Sequence, residues 1–278
     1  MPELPEVETI ARWIRGALLG RRVMEASLER PDFADDASSF LQALPGLNGQ
    51  RLEEVERRGK FLRLRFGGWW LYLHLGMSGR LLWVREETPW LPHTHFRLLF
   101  EEGWEMRLVD PRRFGRVGLA QGKETPLAQR WDSLGPDALE VPWPVFAPLF
   151  RRRRSVKGLL LDQSLLAGVG NLYADETLFL AGVHPRSEAA ALPIERVRHL
   201  HQALQEVLLR AIKAGGSTLK DYRLPDGSPG DFQRHRWVYG RQGEPCLRCG
   251  APIQRLPIAG RTSHFCPQCQ VEFRSQSP

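Results

Sequence analysis

The chain has 278 residues, of which 42% are hydrophobic and 26% charged, so it is no disordered polyelectrolyte and has room for two domains and a substantial core. Lys and Arg outnumber Asp and Glu by 39 to 32, and the excess is local: residues 1–150 carry 20 basic and 21 acidic side chains, residues 151–278 carry 19 and 11. No run of 18 apolar residues is present to span a membrane, and the acidic start, Glu3, Glu6 and Glu8, is the opposite of a signal-peptide n-region, so a cytosolic protein is expected. Nucleic acid is the natural partner for the basic carboxyl half, the plainer alternative being a solvated charged face.

The chain opens Met1-Pro2-Glu3-Leu4-Pro5-Glu6. Removal of Met1 leaves Pro2 as a free secondary amine with a carboxylate on the next residue. Condensed with an aldehyde-level carbon, such an amine gives an iminium with no N–H left to lose, so the adduct stays cationic and acts as an electron sink. Val7, Ile10, Ala11, Ile14, Ala17 and Leu18 then recur at helical spacing, weakened at Gly16 and stopped at Gly20. From Arg21 to Gln121 the period becomes two, as in Lys60 to Phe66, Trp70 to Leu75 and Glu105 to Val109, which predicts an antiparallel β domain, a sandwich. Four prolines between Gly135 and Pro148 (Pro136, Pro142, Pro144, Pro148) read as an interdomain connection. Beyond it the pattern is helical. Val197, Leu200, Leu204, Val207, Leu208, Ala211 and Ile212 form an apolar stripe that is core, ending at Gly215-Gly216. Ser217 to Phe232 is rich in turn residues and long for a structureless connection, as functional or mobile loops are.

All four cysteines lie between Cys246 and Cys269, as Cys246-x2-Cys249 and Cys266-x2-Cys269 separated by sixteen residues. Each pair can grip one edge of a tetrahedral Zn²⁺, and this spacing in a reducing compartment favours one structural zinc over two disulfides or a redox pair. Four sulfurs leave no open position for water, so the metal is expected to fold a β-hairpin and take no part in catalysis. Arg255 and Arg261 would lie on its arms and tip, suited to contact phosphates, although a solvated turn would carry the same charges.

Six blocks stand in order: Met1 to Thr9 (MPELPEVET), Arg58-Gly59-Lys60-Phe61, Leu73-His74-Leu75-Gly76-Met77-Ser78-Gly79, Asp110-Pro111-Arg112-Arg113-Phe114-Gly115, Gly168-Val169-Gly170-Asn171-Leu172-Tyr173, and the four cysteines. Together they resemble the bacterial formamidopyrimidine-DNA glycosylase family over essentially the whole chain. The resemblance implies an α+β multidomain fold: an amino-terminal catalytic β-sandwich with flanking helices (1–135), a helix-two-turn-helix DNA-binding domain (136–236) with a lesion-capping loop (217–232), and a zinc finger (237–271). It also implies a cytoplasmic, nucleoid-associated monomer acting on damaged double-stranded DNA, with no membrane partner and one structural zinc. The implied activity is excision of oxidised purines followed by β,δ-elimination of the strand.

Carried over by position, Pro2 matches the nucleophile, Glu3 the proton donor, and Glu6 a second acidic residue near the lesion. Lys60 matches the basic residue assigned to β-elimination, placed to hold a phosphate as it leaves, and Arg261 the finger arginine of δ-elimination, a permanent fork-shaped cation for a departing phosphate. Met77, Arg112 and Phe114 match the residues that fill the space left by an extruded base: a thioether and a ring replace stacking, and a guanidinium bonds the orphaned base. His74, His93, Arg152, Lys157 and Asn171 match DNA contacts. Arg152 stands where the family often has lysine, and His95 competes with His93 for its alignment. Two alternatives are the sibling endonuclease VIII group, which takes oxidised pyrimidines, and a zinc-dependent DNA-binding protein without catalysis. Leu4 and the complete Met77/Arg112/Phe114 set favour the purine reading over the first; Pro2, Glu3, Lys60 and Arg261 disfavour the second.

Overall fold

Apolar residues three and four apart dictate the first element, α1 (Leu4–Leu18), in which Val7, Ile10, Ala11, Ile14 and Leu18 are fully buried. Pro5 starts it without loss, since an N–H in the first turn has no helical partner, and Gly20 at φ +83° turns the chain out of it. The structure is a computed structural model that describes residues 2–121 and 125–275.

Two four-stranded antiparallel sheets follow, with the strands β1 (Val23–Leu28), β2 (Leu52–Arg58), β3 (Phe61–Phe66), β4 (Trp69–His74), β5 (Arg80–Arg85), β6 (Thr94–Phe100), β7 (Trp104–Val109) and β8 (Arg116–Ala120). Their orders are β1-β6-β7-β5 and β2-β3-β4-β8. The alternation seen in the sequence sets the faces. Leu62 pairs with Leu73 and Leu64 with Leu71, all four buried, while Arg63 and Arg65 face outward to Glu56 and Glu54. Each buried Leu or Phe contributes roughly 1.5–3 kcal/mol against leaving it in water. Between β1 and β2 lies α2 (Ala37–Ala43), capped by the Asp36 carboxylate; α3 (Pro126–Asp132) is capped by Thr125.

The chain divides into two compact units, Met1–Ser133 with Ala214–Gln233, and Leu134–Lys213 with Arg234–Pro278. Residues 217–232, expected with the segment 136–236, pack in the first unit: Tyr222 is buried in the sandwich core, and the Pro225 carbonyl accepts the Trp83 amide at 2.8 Å. No helix or strand forms before Phe232, yet the segment is tied down internally, since Tyr222 donates its hydroxyl to the Gly215 carbonyl and Thr218 accepts the Gly230 amide.

The proline-rich run, read as a connection, is itself folded. Ala138 donates its amide to the Ala167 carbonyl and Ala167 its own to the Pro136 carbonyl, Phe146 is buried, and a short α4 (Trp143–Phe146) starts at Pro142. Pro144 and Pro148 are tolerated there because they occupy first-turn positions. The second unit continues with α5 (Val156–Leu161), α6 (Asn171–Leu180) and the twenty-residue α7 (Ile194–Lys213), whose expected stripe is buried throughout. It ends in a hairpin, β9 (Gln254–Ile258) and β10 (Arg261–Phe265), turned by Ala259 and Gly260, both at positive φ as a two-residue hairpin turn demands. No helix among the described residues is long and apolar enough to cross a membrane.

Candidate functional site

Pro2 and Glu3 are buried at the entry to α1, where Glu3 is the N-cap in extended conformation. Glu6, at the third helical position, accepts the Glu3 amide on Oε2 at 2.8 Å, and its Oε1 accepts the Ser217 amide at 2.7 Å. One buried carboxylate therefore fixes both the backbone carrying Pro2-Glu3 and the root of the 217–232 loop. Gly216 beside it stands at φ +79°, and a Cβ there would fall 2.9 Å from Glu6 Oε1, so glycine is required twice over.

Farther along α1, Glu8 accepts Arg57 Nε at 2.7 Å, and Arg57 Nη1 donates to the Gly59 carbonyl at 3.2 Å. This pins the turn that presents Lys60. Burial alone would raise the Glu8 carboxyl, but the Arg12 and Arg57 guanidiniums hold it below the ordinary range. Lys60 is almost wholly enclosed, immediately before β3, and His74 lies across the ladder from Phe61, ring centroids 4.5 Å apart. Burial, then the positive charges of Arg130 and Lys60, push His74 down to about 4, so it is a neutral imidazole at physiological pH.

At one end of the sandwich two loops meet. Met77 is 40% exposed and Phe114 52%, and the Arg112 guanidinium lies 5.0 Å from the Phe114 ring centre. Apolar side chains so exposed on a well-filled domain are not core residues. A Cβ at Gly76 would fall 2.4 Å from the Phe114 carbonyl carbon, so the loops touch backbone to backbone. The structure separates the two histidines. His95 is buried with Nε2 2.8 Å from the Asp110 carbonyl oxygen, whereas His93 is exposed, at φ +68°.

In the second unit, Gly170 is the N-cap of α6 and Asn171 its first residue. Gln163 holds the glycine turn before it, accepting the Gly168 amide and donating to the Val169 carbonyl, at 2.9 Å each. Asn171 Nδ2 donates to the Thr262 carbonyl at 2.9 Å, joining the helix start to β10 next to Arg261. Arg261 is exposed at the hairpin tip, as are Arg255 on β9 and Arg151 to Arg154 before α5. Lys157 departs from its expected place among DNA-facing groups. It has no exposed surface, and its ammonium donates to Asp175 Oδ1 at 2.6 Å, Ser263 Oγ at 2.7 Å and the Thr262 carbonyl at 3.2 Å. Asp175 Oδ2 in turn accepts the His264 amide at 2.8 Å. An ammonium so enclosed holds the root of the hairpin and faces no solvent.

The four cysteines form one cluster, their sulfurs all within 4.8 Å of one another. Cys246 and Cys269 are separated by 3.9 Å and Cys249 and Cys266 by 3.5 Å, far beyond a disulfide and close to the roughly 3.8 Å edges that follow from Zn–S bonds of about 2.3 Å. The Arg248 and Cys269 amides point at the sulfurs of Cys246 and Cys266, as donors to thiolates do. The site fits one tetrahedral zinc held by Cys246, Cys249, Cys266 and Cys269.

Asp110, Gln163 and Asp175 were not singled out in the sequence. Asp110 stood inside one of the six blocks, but nothing in a sequence says that a carboxylate will be buried against a hydroxyl from one loop and two amides from another.

Residues 1–117 match the family model described as formamidopyrimidine-DNA glycosylase N-terminal domain, residues 134–223 the H2TH domain of the same enzymes, and residues 243–271 the zinc finger found in FPG and IleRS. The curated formamidopyrimidine-DNA glycosylases of Thermus thermophilus and Gluconobacter oxydans are 47% and 44% identical, covering 98% and 97% of this chain and 99% and 100% of their own. The crystal structure of the MutM (Fpg) protein from Thermus thermophilus superposes with a TM-score of 0.85 at 43% identity over 98% of this chain and 100% of that one. A Lactococcus lactis FPG mutant, solved in complex with a DNA containing Fapy-dG, superposes at 0.88 with 35% identity over 97% and 99%.

Proposed function

The chain belongs to the formamidopyrimidine-DNA glycosylase family and is a DNA glycosylase of base excision repair; from this we propose that it removes oxidised purines by a Pro2 Schiff base and then cleaves the strand. After loss of Met1, the Pro2 nitrogen attacks C1′ of the damaged nucleotide and the bond to the base breaks. Glu3 protonates the sugar ring oxygen as the ring opens, leaving a C1′ iminium. Loss of a C2′ proton expels the 3′ phosphate, with Lys60 as its partner, and a second elimination expels the 5′ phosphate, with Arg261 as its partner; water then frees Pro2. Glu6 orients the Pro2-Glu3 backbone and the lesion-capping loop 217–232.

Met77, Arg112 and Phe114 occupy the space of the extruded base, and His74, His93, Arg152 and Asn171 hold the backbone of damaged double-stranded DNA, with Lys157 acting through the hairpin it anchors. His74, being neutral, serves a phosphate as an N–H donor. The zinc keeps the finger folded and takes no part in the chemistry. Segments 1–135, 136–236 and 237–271 divide catalysis, duplex binding and the finger among them, with the 217–232 loop serving the first, in a monomer that works in the cytoplasm at the nucleoid. The observation that carries the reading is a buried Pro2-Glu3 start, locked by Glu6, on the same unit that exposes Met77, Arg112 and Phe114 together.

Borohydride trapping with a duplex carrying 8-oxoguanine opposite cytosine, beside one carrying an oxidised pyrimidine, tests it. A covalent adduct is expected, in higher yield with the purine. No adduct with either duplex refutes the imine mechanism, and a higher yield with the pyrimidine moves the chain to the endonuclease VIII group.

A further inference from the structure

Asp110 closes β7 with no exposed surface, and all of its polar atoms are engaged. Its Oδ1 accepts the Ser78 hydroxyl and, at 3.2 Å, the Arg112 amide; its Oδ2 accepts the Gly115 amide at 2.7 Å. On the main chain, its amide donates to the His93 carbonyl at 2.9 Å, and its own carbonyl lies 2.8 Å from His95 Nε2. One residue thus joins the loop that carries Met77, the loop that carries Arg112 and Phe114, and the exposed His93. The Arg112–Phe114 loop also holds Arg113 at φ +56°, a left-handed conformation that a non-glycine residue keeps only where its surroundings impose it.

We propose that Asp110 is the positioning residue of the base-replacing cluster: it sets Met77, Arg112 and Phe114 in the geometry that fills the duplex when the damaged nucleotide leaves it. The proposal rests on the function argued above. The requirement is for a carboxylate. Every donor that reaches its two oxygens from the loops is an N–H or O–H, so an asparagine, turned either way, sets its own N–H₂ against a backbone N–H of the Arg112–Phe114 loop and loosens that loop. A misplacement of about 1 Å at a reacting constellation costs as much as 100-fold in rate.

Asp110→Asn is to be measured on two duplexes, one holding 8-oxoguanine and one a ready-made abasic site, which has no base to extract and flips at lower cost. Single-turnover excision is expected to fall about 10- to 100-fold while cleavage at the abasic site falls less than about threefold. The double variant with Met77→Ala should lose little more than the larger of the two single losses, because both remove one function. Equal losses on the two duplexes, no loss, or multiplication of the losses in the double variant would overturn the proposal. Should Asp110→Asn fail to fold, judged by its melting transition, Ser78→Ala carries the test. It removes one of the three side-chain bonds and should give a several-fold loss confined to excision; an unchanged or unselective Ser78→Ala then overturns it. Wild-type trapping, run alongside, reports on the imine mechanism separately: an inert wild type refutes that mechanism, whereas an active wild type with an unselective variant refutes only the role of Asp110.

Discussion

In the amino-terminal unit, the groups that would meet the lesion are held by buried carboxylates that collect backbone amides: Glu6 takes those of Glu3 and Ser217, and Asp110 those of Arg112 and Gly115. Behind them lies a sandwich core running from Val7 to Leu119. In the finger, Arg261 opens a five-residue strand paired with only one other, and the apolar cluster beneath is a handful of residues, among them Val238, Ile253, Cys246 and Cys266. A large core can be trimmed by hydrogen bonds alone. A hairpin of this size cannot bury enough surface to stay folded, so a metal and an enclosed ion pair supply what the core lacks.

That contrast is broken most directly at the metal. Chelation of zinc, or Cys249→Ser, should weaken binding to lesion duplex by more than about 100-fold, because structural zinc sites are worth on the order of 10 kcal/mol to their modules. Hydrogen exchange should accelerate over 243–271 while β3, β4 and β7 stay protected. Equal deprotection of the sandwich would mean that the two regions are not held by different means, and unchanged binding would make the metal dispensable.

The next largest effect is expected at Lys157. Lys157→Met leaves the Asp175 carboxylate buried with only His264 for company, and breaking such a pair costs about 3–5 kcal/mol. Glu6→Gln, by contrast, keeps one acceptor for two amides and should cost about 1–3 kcal/mol. Urea unfolding of the two variants ranks them, and the opposite order would place the weaker scaffold in the sandwich. Lys157→Met should also impair the second elimination more than the first, since it loosens the strand that carries Arg261.

Much of this was legible in the sequence. The period-two runs gave β3, β4 and β7 nearly to the residue, the seven-residue stripe gave the buried face of α7, and the cysteine spacing gave the metal cluster. Periodicity and ligand spacing are local, so they survive in a linear string. What escaped was set by partners distant in sequence. Lys157 read as a DNA contact, with nothing to show its enclosure, because Asp175 and Ser263, which enclose it, lie 18 and 106 residues away. Four prolines read as a linker because nothing local said that Pro144 and Pro148 would stand in first turns, that Pro142 would be an N-cap, or that the Pro136 carbonyl would be bonded by Ala167. The 217–232 loop read as part of the helical segment because its anchor is the carboxylate of Glu6, 211 residues earlier.

The smallest predicted effect lies at His74 and concerns protons. Its folded-state value near 4 lies below the 6.5 of an unperturbed imidazole, so between those limits the unfolded chain binds a proton that the folded chain excludes. Stability from this residue is therefore complete above about pH 6.5 and is lost as pH falls toward 4, by up to about 3 kcal/mol and, for a side chain not wholly removed from water, closer to about 1–2 kcal/mol. His74→Gln should flatten the slope of unfolding free energy across pH 6.5 to 4 and leave it unchanged above pH 7. The same neutrality governs binding. A neutral imidazole releases no counterion from a phosphate, so His74→Gln should leave the salt dependence of DNA affinity unaltered at pH 7.5, whereas Arg152→Ala should reduce its slope by about 0.9. A slope reduced equally by both variants would mean that His74 is protonated against DNA, and that the sandwich also presents a cation at the position where its free form excludes one.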